Sequence, residues 1–233
     1  MAGQEWMIKD NDLTVLGGLG SYAWVGCGAT TSPLTSSGYA PCQPGEDPIF
    51  TDYDTFQQAV EGGQVTSGET VIFDNEDWSY TPLWERKNQE RYESLAAVLA
   101  MRHGITFIDT PSAKTYAQIV EEDAAAAKYS SVVVIQSQAL DSNPLTFQAS
   151  VVRAVAAIRK VNPTIPILAG LATDALGKPT TVQDMIDDYT DVKSDVQGFW
   201  LNANTWPPPK GRGCAPEGCP QIGRQFLNDI GVS

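Results

Sequence analysis

Two acids one residue apart, Asp74 and Glu76, follow directly on the strand-forming run Thr70-Val71-Ile72-Phe73. Side chains alternate along a strand, so Ile72, Asp74 and Glu76 share one face, and Phe73 and Asn75 take the other. If Ile72 points into a core, both acids follow it inward at the strand's carboxyl end, where α/β folds place their chemistry. Residues two apart are separated by about 6.6–7 Å of rise, which lets the two carboxyl groups approach closely. Close like charges raise one pKa, leaving one group protonated and its neighbour ionised. Acid and base work on a glycosidic bond requires that division. The rival reading is a solvated acidic turn that caps the next helix. Asp77 alternates to the other face and is expected to be structural.

Polar residues end other strand-like runs in the same way. Asp109, Gln136 and Asn202 are candidates to line one mouth with the acid pair, although each also suits a turn or cap. Gln136 and Gln138 share a face with Val132 and Val134, so one of them is predicted to point inward. A buried amide needs a partner there, either Asp74 or a polar ligand. Trp200, Asn202 and Asn204 share a face, and Trp206 follows. A Trp beside amides suits stacking on and hydrogen bonding to a sugar or another ring. Packing of Trp200 against outer helices is the alternative. Trp24, Trp78 and Tyr22 are further aromatic candidates, with Tyr22 counted among the binding residues.

The one histidine of the chain, His103, stands at a helix end before Gly104. That leaves no Ser-His-Asp triad and no His-based metal site. Asp187-Asp188-Tyr189-Thr190-Asp191 reads as a solvated helix face. Clustered acids are hard oxygen ligands suited to Mg or Ca, but the reading carries no metal and no cofactor.

Alternating elements position these residues. The pattern predicts strands at 13–18, 22–25, 70–73, 105–108, 132–135, 165–169 and 198–202. Helices are predicted at 53–60 (capped by Asp52, ended by Gly62-Gly63), 88–102, 116–128, 144–162, 181–193 and 221–230. Residues 28–50 are rich in Gly, Pro, Ser and Thr and read as a long loop. Strand–helix alternation implies parallel strands with helices outside. A ring of polar strand ends favours a single-domain (β/α)8 barrel, with one or two degenerate units, over an open doubly wound sheet. Gly17-Gly18-Leu19-Gly20 is the nearest approach to a phosphate-binding glycine turn and lacks the helix after it.

Bulk composition narrows the partners. The 233 residues are 42% hydrophobic, enough for a sizeable core, and only 18% charged, which argues against disorder. A net charge of −13 with 15 Lys and Arg leaves no basic footprint for nucleic acid or an anionic membrane. A small molecule or carbohydrate is the expected partner. Residues 1–6 lack the basic and apolar regions of a signal peptide. The four cysteines lie in loop-like sequence. Two disulfides, Cys27–Cys42 and Cys214–Cys219, are the first reading and point to secretion; free thiols come next, and a four-Cys zinc site fits the spacing poorly.

Phe73-Asp74-Asn75-Glu76-Asp77-Trp78 resembles the strand-end acidic signature of chitinase-like glycoside hydrolase barrels. The resemblance implies that Glu76 is the acid and that Asp74 orients the substrate. This chain has Ile72 where the family carries a further Asp. Gln136-Ser137-Gln138, Gly170-Leu171-Ala172-Thr173 and Gly198-Phe199-Trp200-Leu201-Asn202 look like small uncharacterised bacterial barrel proteins. The expected function is a glycoside-hydrolase-like acid/base catalyst. A non-hydrolytic barrel enzyme would instead show one isolated acid among aromatics. An inactive binding barrel would show both acids tied up and no open cleft.

Overall fold

The computed structural model describes residues 5–9, 23–27, 42–77, 79–112, 116–141, 143–175, 178–203 and 219–232. Eight strands form a closed parallel barrel: β1 (Glu5–Lys9), β2 (Trp24–Cys27), β3 (Asp47–Phe50), β4 (Thr70–Phe73), β5 (Thr106–Asp109), β6 (Val132–Ile135), β7 (Ile167–Ala172) and β8 (Gly198–Asn202). Each pairs with its sequence neighbour, and β8 closes on β1 through Trp6–Phe199 and Met7–Trp200. The helices among the described residues are α1 (Tyr53–Glu61), α2 (Leu83–Arg86), α3 (Gln89–His103), α4 (Tyr116–Ala126), α5 (Pro144–Val161), α6 (Val182–Val192) and α7 (Cys219–Asp229).

Alternation along each strand sorts the apolar residues into two layers. Met7, Ile49, Ile72, Ile108, Val132, Val134, Leu168 and Trp200 fill the barrel interior. Their neighbours in sequence face the helices. Phe50, Phe73 and Phe107 pack with Phe56 of α1 at ring separations of 5.1–6.2 Å. Trp6 and Phe199 pack with Tyr189 of α6 and Phe226 of α7. Each fully buried large apolar side chain contributes about 1.5–3 kcal/mol, so both layers are needed to hold the barrel closed.

Local signals set the helix ends. The Asp52 carboxylate accepts from the Thr55 N–H at 2.8 Å at the start of α1. Gly104 ends α3 at φ +68°, a conformation that favours glycine. Asn143 and Pro144 open α5 as predicted, and Thr181 with Asp184 forms a reciprocal cap on α6.

Two strands depart from the sequence reading. Residues 5–9 form β1, and the last four residues of the segment read as a long loop form β3. Pro48 and the polar bracket around Ile49-Phe50 hide β3, yet its outer residue Phe50 anchors the aromatic layer. The expected strand at 13–18 lies outside the described residues. The barrel therefore needs no missing strand. Asp188 also departs from expectation. Asp187 and Asp191 are exposed, but Asp188 is buried, and burial with the nearby Asp184 charge pushes its carboxyl up to about 8.

Candidate active site

β4 carries the centre of the site. The Asp74 N–H donates to the Phe50 carbonyl at 2.8 Å, extending the β3–β4 ladder one residue past Phe73. Ile72 lies in the interior, and Asp74 follows it inward and is completely buried. Its Oδ1 is 2.9 Å from the Thr110 hydroxyl, which also lies 2.9 Å from the Phe73 carbonyl. Glu76, the next residue on that face, is half-buried.

The Gln136 side chain joins the two acids. Its Nε2 is 3.5 Å from Asp74 Oδ1, 3.3 Å from Glu76 Oε1 and 3.2 Å from the Thr110 carbonyl. β6 explains the placement: Val132 and Val134 point inward, so Gln136 does too. One amide nitrogen within reach of both carboxylates brings the pair together at the carboxyl end of the barrel.

The segment after β4 is clamped on both sides. On the inner side, the Glu76 N–H donates to Thr81 Oγ1 at 3.2 Å, and the Thr81 hydroxyl donates to the Thr51 carbonyl at 2.8 Å. On the outer side, Asn75 Nδ2 donates to Glu85 Oε2 at 2.7 Å, and Gln89 Nε2 donates to the Asn75 carbonyl at 2.8 Å. Glu85 also accepts from the Tyr53 N–H at 3.0 Å. Burial pushes the Glu85 carboxyl up to about 7, against the lowering effect of that N–H. Asp77 faces Arg86 at 3.7 Å. The pinned Asn75 between the two acids fixes the direction in which both point.

The remaining predicted residues divide. Gln138 reaches the interior side: a Cβ built on Gly170 of β7 would overlap its amide, so the bare glycine leaves the space that the amide fills. Asn202, half-buried at the end of β8, continues the inward face of Trp200. Trp200 itself is 2% exposed within the interior layer, and so packs neither against outer helices nor at an open surface. Asp109 does not join the mouth. It shares the outward face of Phe107 and takes a hydrogen bond from the Ser130 hydroxyl at 3.0 Å, in the layer between strands and helices. Burial drives its carboxyl up to about 7. Asp109 is inward by type but outward by parity, and parity decides. Tyr22, Trp78, Asn204 and Trp206 lie outside the described residues, as does the Cys214 half of the expected Cys214–Cys219 pair. The Cys27–Cys42 disulfide is present.

Several residues of the site were not singled out in the sequence. Thr110 and Thr81 each precede a proline and carry no chemical signal of their own, yet their hydroxyls hold Asp74 and the Glu76 backbone. Tyr80, Leu83 and Trp84 stand 43%, 54% and 56% exposed on the segment that follows Glu76. These three large apolar side chains form an exposed apolar stretch over residues 80–84.

No family model and no curated protein matches the sequence. Among solved structures, the chain is similar to an active-site mutant of Rhizomucor miehei beta-1,3-glucanosyltransferase in complex with laminaritriose. The identity is 12% and the TM-score 0.46, over 85% of this chain and 86% of that one. The barrel is established by its own strand pairing and not by that likeness.

Proposed function

We propose that this protein is a small barrel enzyme that cleaves or transfers a glycosidic bond by acid/base catalysis. Gln136 Nε2, held within 3.5 Å of both Asp74 and Glu76, is the observation that carries the reading. Glu76 is the acid, because it is the member of the pair that solvent and substrate reach; Asp74 is sealed. Glu76 donates its proton to the bridging oxygen as the bond to the anomeric carbon breaks; water, or a sugar hydroxyl in a transfer, bonds to that carbon in its place and returns its proton to the Glu76 carboxylate. Asp74, held by Thr110 and Gln136, keeps Gln136 aimed at Glu76 and so positions the acid. Gln138 and Asn202 supply hydrogen bonds to hydroxyl groups, and Tyr80 and Trp84 stack against the ring. Trp200 forms the floor one interior layer below Asn202.

A mouth of two acids sharing an amide is the opposite of one isolated acid among aromatics, which disfavours the non-hydrolytic alternative. The Cys27–Cys42 disulfide supports an oxidising compartment, and hence secretion.

The test is release of reducing ends from a panel of neutral and acidic polysaccharides, by the unmodified chain and by Glu76→Gln. The expected result is turnover of at least one polysaccharide and a loss of about 10²–10⁴-fold in the variant, the usual scale of general acid catalysis. Unchanged turnover in Glu76→Gln removes Glu76 from the acid role.

A further inference from the structure

A cavity with a cationic lining lies against the outer side of the segment that carries the acid pair. It opens between the end of α2, the start of α3 and the segment after β5, with a volume of about 420 Å³. Arg86, Lys87 and Arg91 line it, together with Gln89 and Ser112. Three of the chain's 15 Lys and Arg stand here within six residues, in a protein of net charge −13. Glu90 and Glu122 also reach the lining, so the cations are in part internally balanced, three against two. Arg86 is only loosely matched: it stands 3.7 Å from Asp77, and its buried Nε–H has no hydrogen-bond partner among the described residues. The Arg86 side chain keeps 27% of its surface exposed, so its charge can also act on an incoming anion.

The cavity is coupled to the proposed site by short links. Gln89, in its lining, donates to the carbonyl of Asn75, the residue between Asp74 and Glu76. Arg86 faces Asp77, the residue after Glu76. Exposed Trp84 precedes Arg86 by two residues on α2. A ligand that enters at Glu76 and extends outward over this segment would reach the cationic cavity.

We propose that this cavity is a subsite for an anionic substituent, a carboxylate or a sulfate ester, on the carbohydrate that Glu76 acts upon. The inference rests on the carbohydrate reading above and names its substrate class: an acidic glycan. Arginine's planar fork matches both groups, and Lys87 adds a mobile point charge. The volume suits a single charged sugar unit.

The experiment is binding of three small probes to full-length Glu76→Gln, which cannot turn them over, followed by amide chemical shifts at low salt. The probes are methyl glucuronide, glucose 6-sulfate and methyl glucoside. At least one anionic probe is expected to bind about tenfold or more tighter than the neutral glucoside, the scale of one charge-assisted hydrogen bond. The signals of Gln89, Arg91 and Ser112 are expected to move, and the binding to weaken with added salt. Whichever anion binds more tightly tells uronate from sulfate. The Lys87→Ala/Arg91→Ala double variant, with unchanged Tm, is expected to lose the preference. Equal binding of all three probes, or an anion preference that survives the double variant, overturns the proposal. If that variant does not fold, shifts confined to residues away from 86–91 and Ser112 in the original chain overturn it equally. The binding needs no proton donor, so its failure is separate from failure of the Glu76 acid role.

Discussion

Asp109→Asn should make the protein less sensitive to rising pH. In the native chain Asp109 is sealed between β5 and the helices, and burial lifts its carboxyl from 3.8 to about 7. At about 1.4 kcal/mol per pKa unit, that difference is worth on the order of 4 kcal/mol. The direction is fixed by proton linkage. Below the unfolded value near 4, Asp109 is protonated folded or unfolded, and the fold keeps its full stability. Between about pH 4 and 7 the unfolded chain ionises while the folded one holds its proton, so stability falls. Above about 7 both forms are ionised and the loss is complete. Glu93 of α3 and Asp123 of α4, which the Asp109 charge repels, reinforce this: burial pushes both well up, and Glu122 adds repulsion on each. The variant's side-chain carbonyl can still take the Ser130 hydroxyl, which isolates the titration from the hydrogen bond. Urea unfolding at pH 4, 5, 6, 7 and 8, followed by Trp fluorescence, measures the effect. Asp109→Asn should gain on the native chain as pH rises, by up to about 4 kcal/mol between pH 4 and 8. Parallel pH curves, or a variant that falls more steeply, would refute the reasoning.

Three other outcomes follow from the geometry. Gly170→Ala should displace the Gln138 amide and raise KM, while changing stability by less than about 1 kcal/mol, because only the end of a flexible side chain must move. Steady-state kinetics with a thermal melt checks both halves. Trp84→Ala, at an exposed position, should raise KM by about five- to tenfold and leave Tm unchanged, since stacking on a ring contributes about 1 kcal/mol. Opening the Cys27–Cys42 bridge, which spans 15 residues, by a Cys27→Ser/Cys42→Ser double variant should cost about 3 kcal/mol of unfolding free energy, read by denaturant titration.

The barrel was legible in the sequence because strand and helix alternate with clear caps from residue 53 to 202. Where the pattern failed, composition and not length hid the strand: β4, β5 and β6 are four residues each and were legible, whereas β3 starts with Asp47-Pro48, which reads as loop chemistry, and β1 begins and ends on the charged Glu5 and Lys9. The acid pair was legible through period-2 parity running on from Ile72, and Gln136 through parity running on from Val134. Parity also contained the correction for Asp109: Ile108 points inward, so Asp109 cannot. Counting along that strand would have exposed it. Thr81, Thr110 and Glu85 were beyond reach of the sequence, because their roles depend on contacts across 30 to 37 residues of chain. No local pattern encodes such a separation.

The most direct test of Glu76 as proton donor uses leaving groups of different basicity. Aryl glycosides with a dinitrophenyl leaving group depart without a proton, whereas alkyl glycosides and natural linkages need one. The kcat/KM of Glu76→Gln on both classes, relative to the original chain, is the measurement. The account expects near-normal turnover of the dinitrophenyl glycoside and a loss of at least about 10²-fold on the poor leaving group. An equal loss on both, or no loss on either, would contradict it.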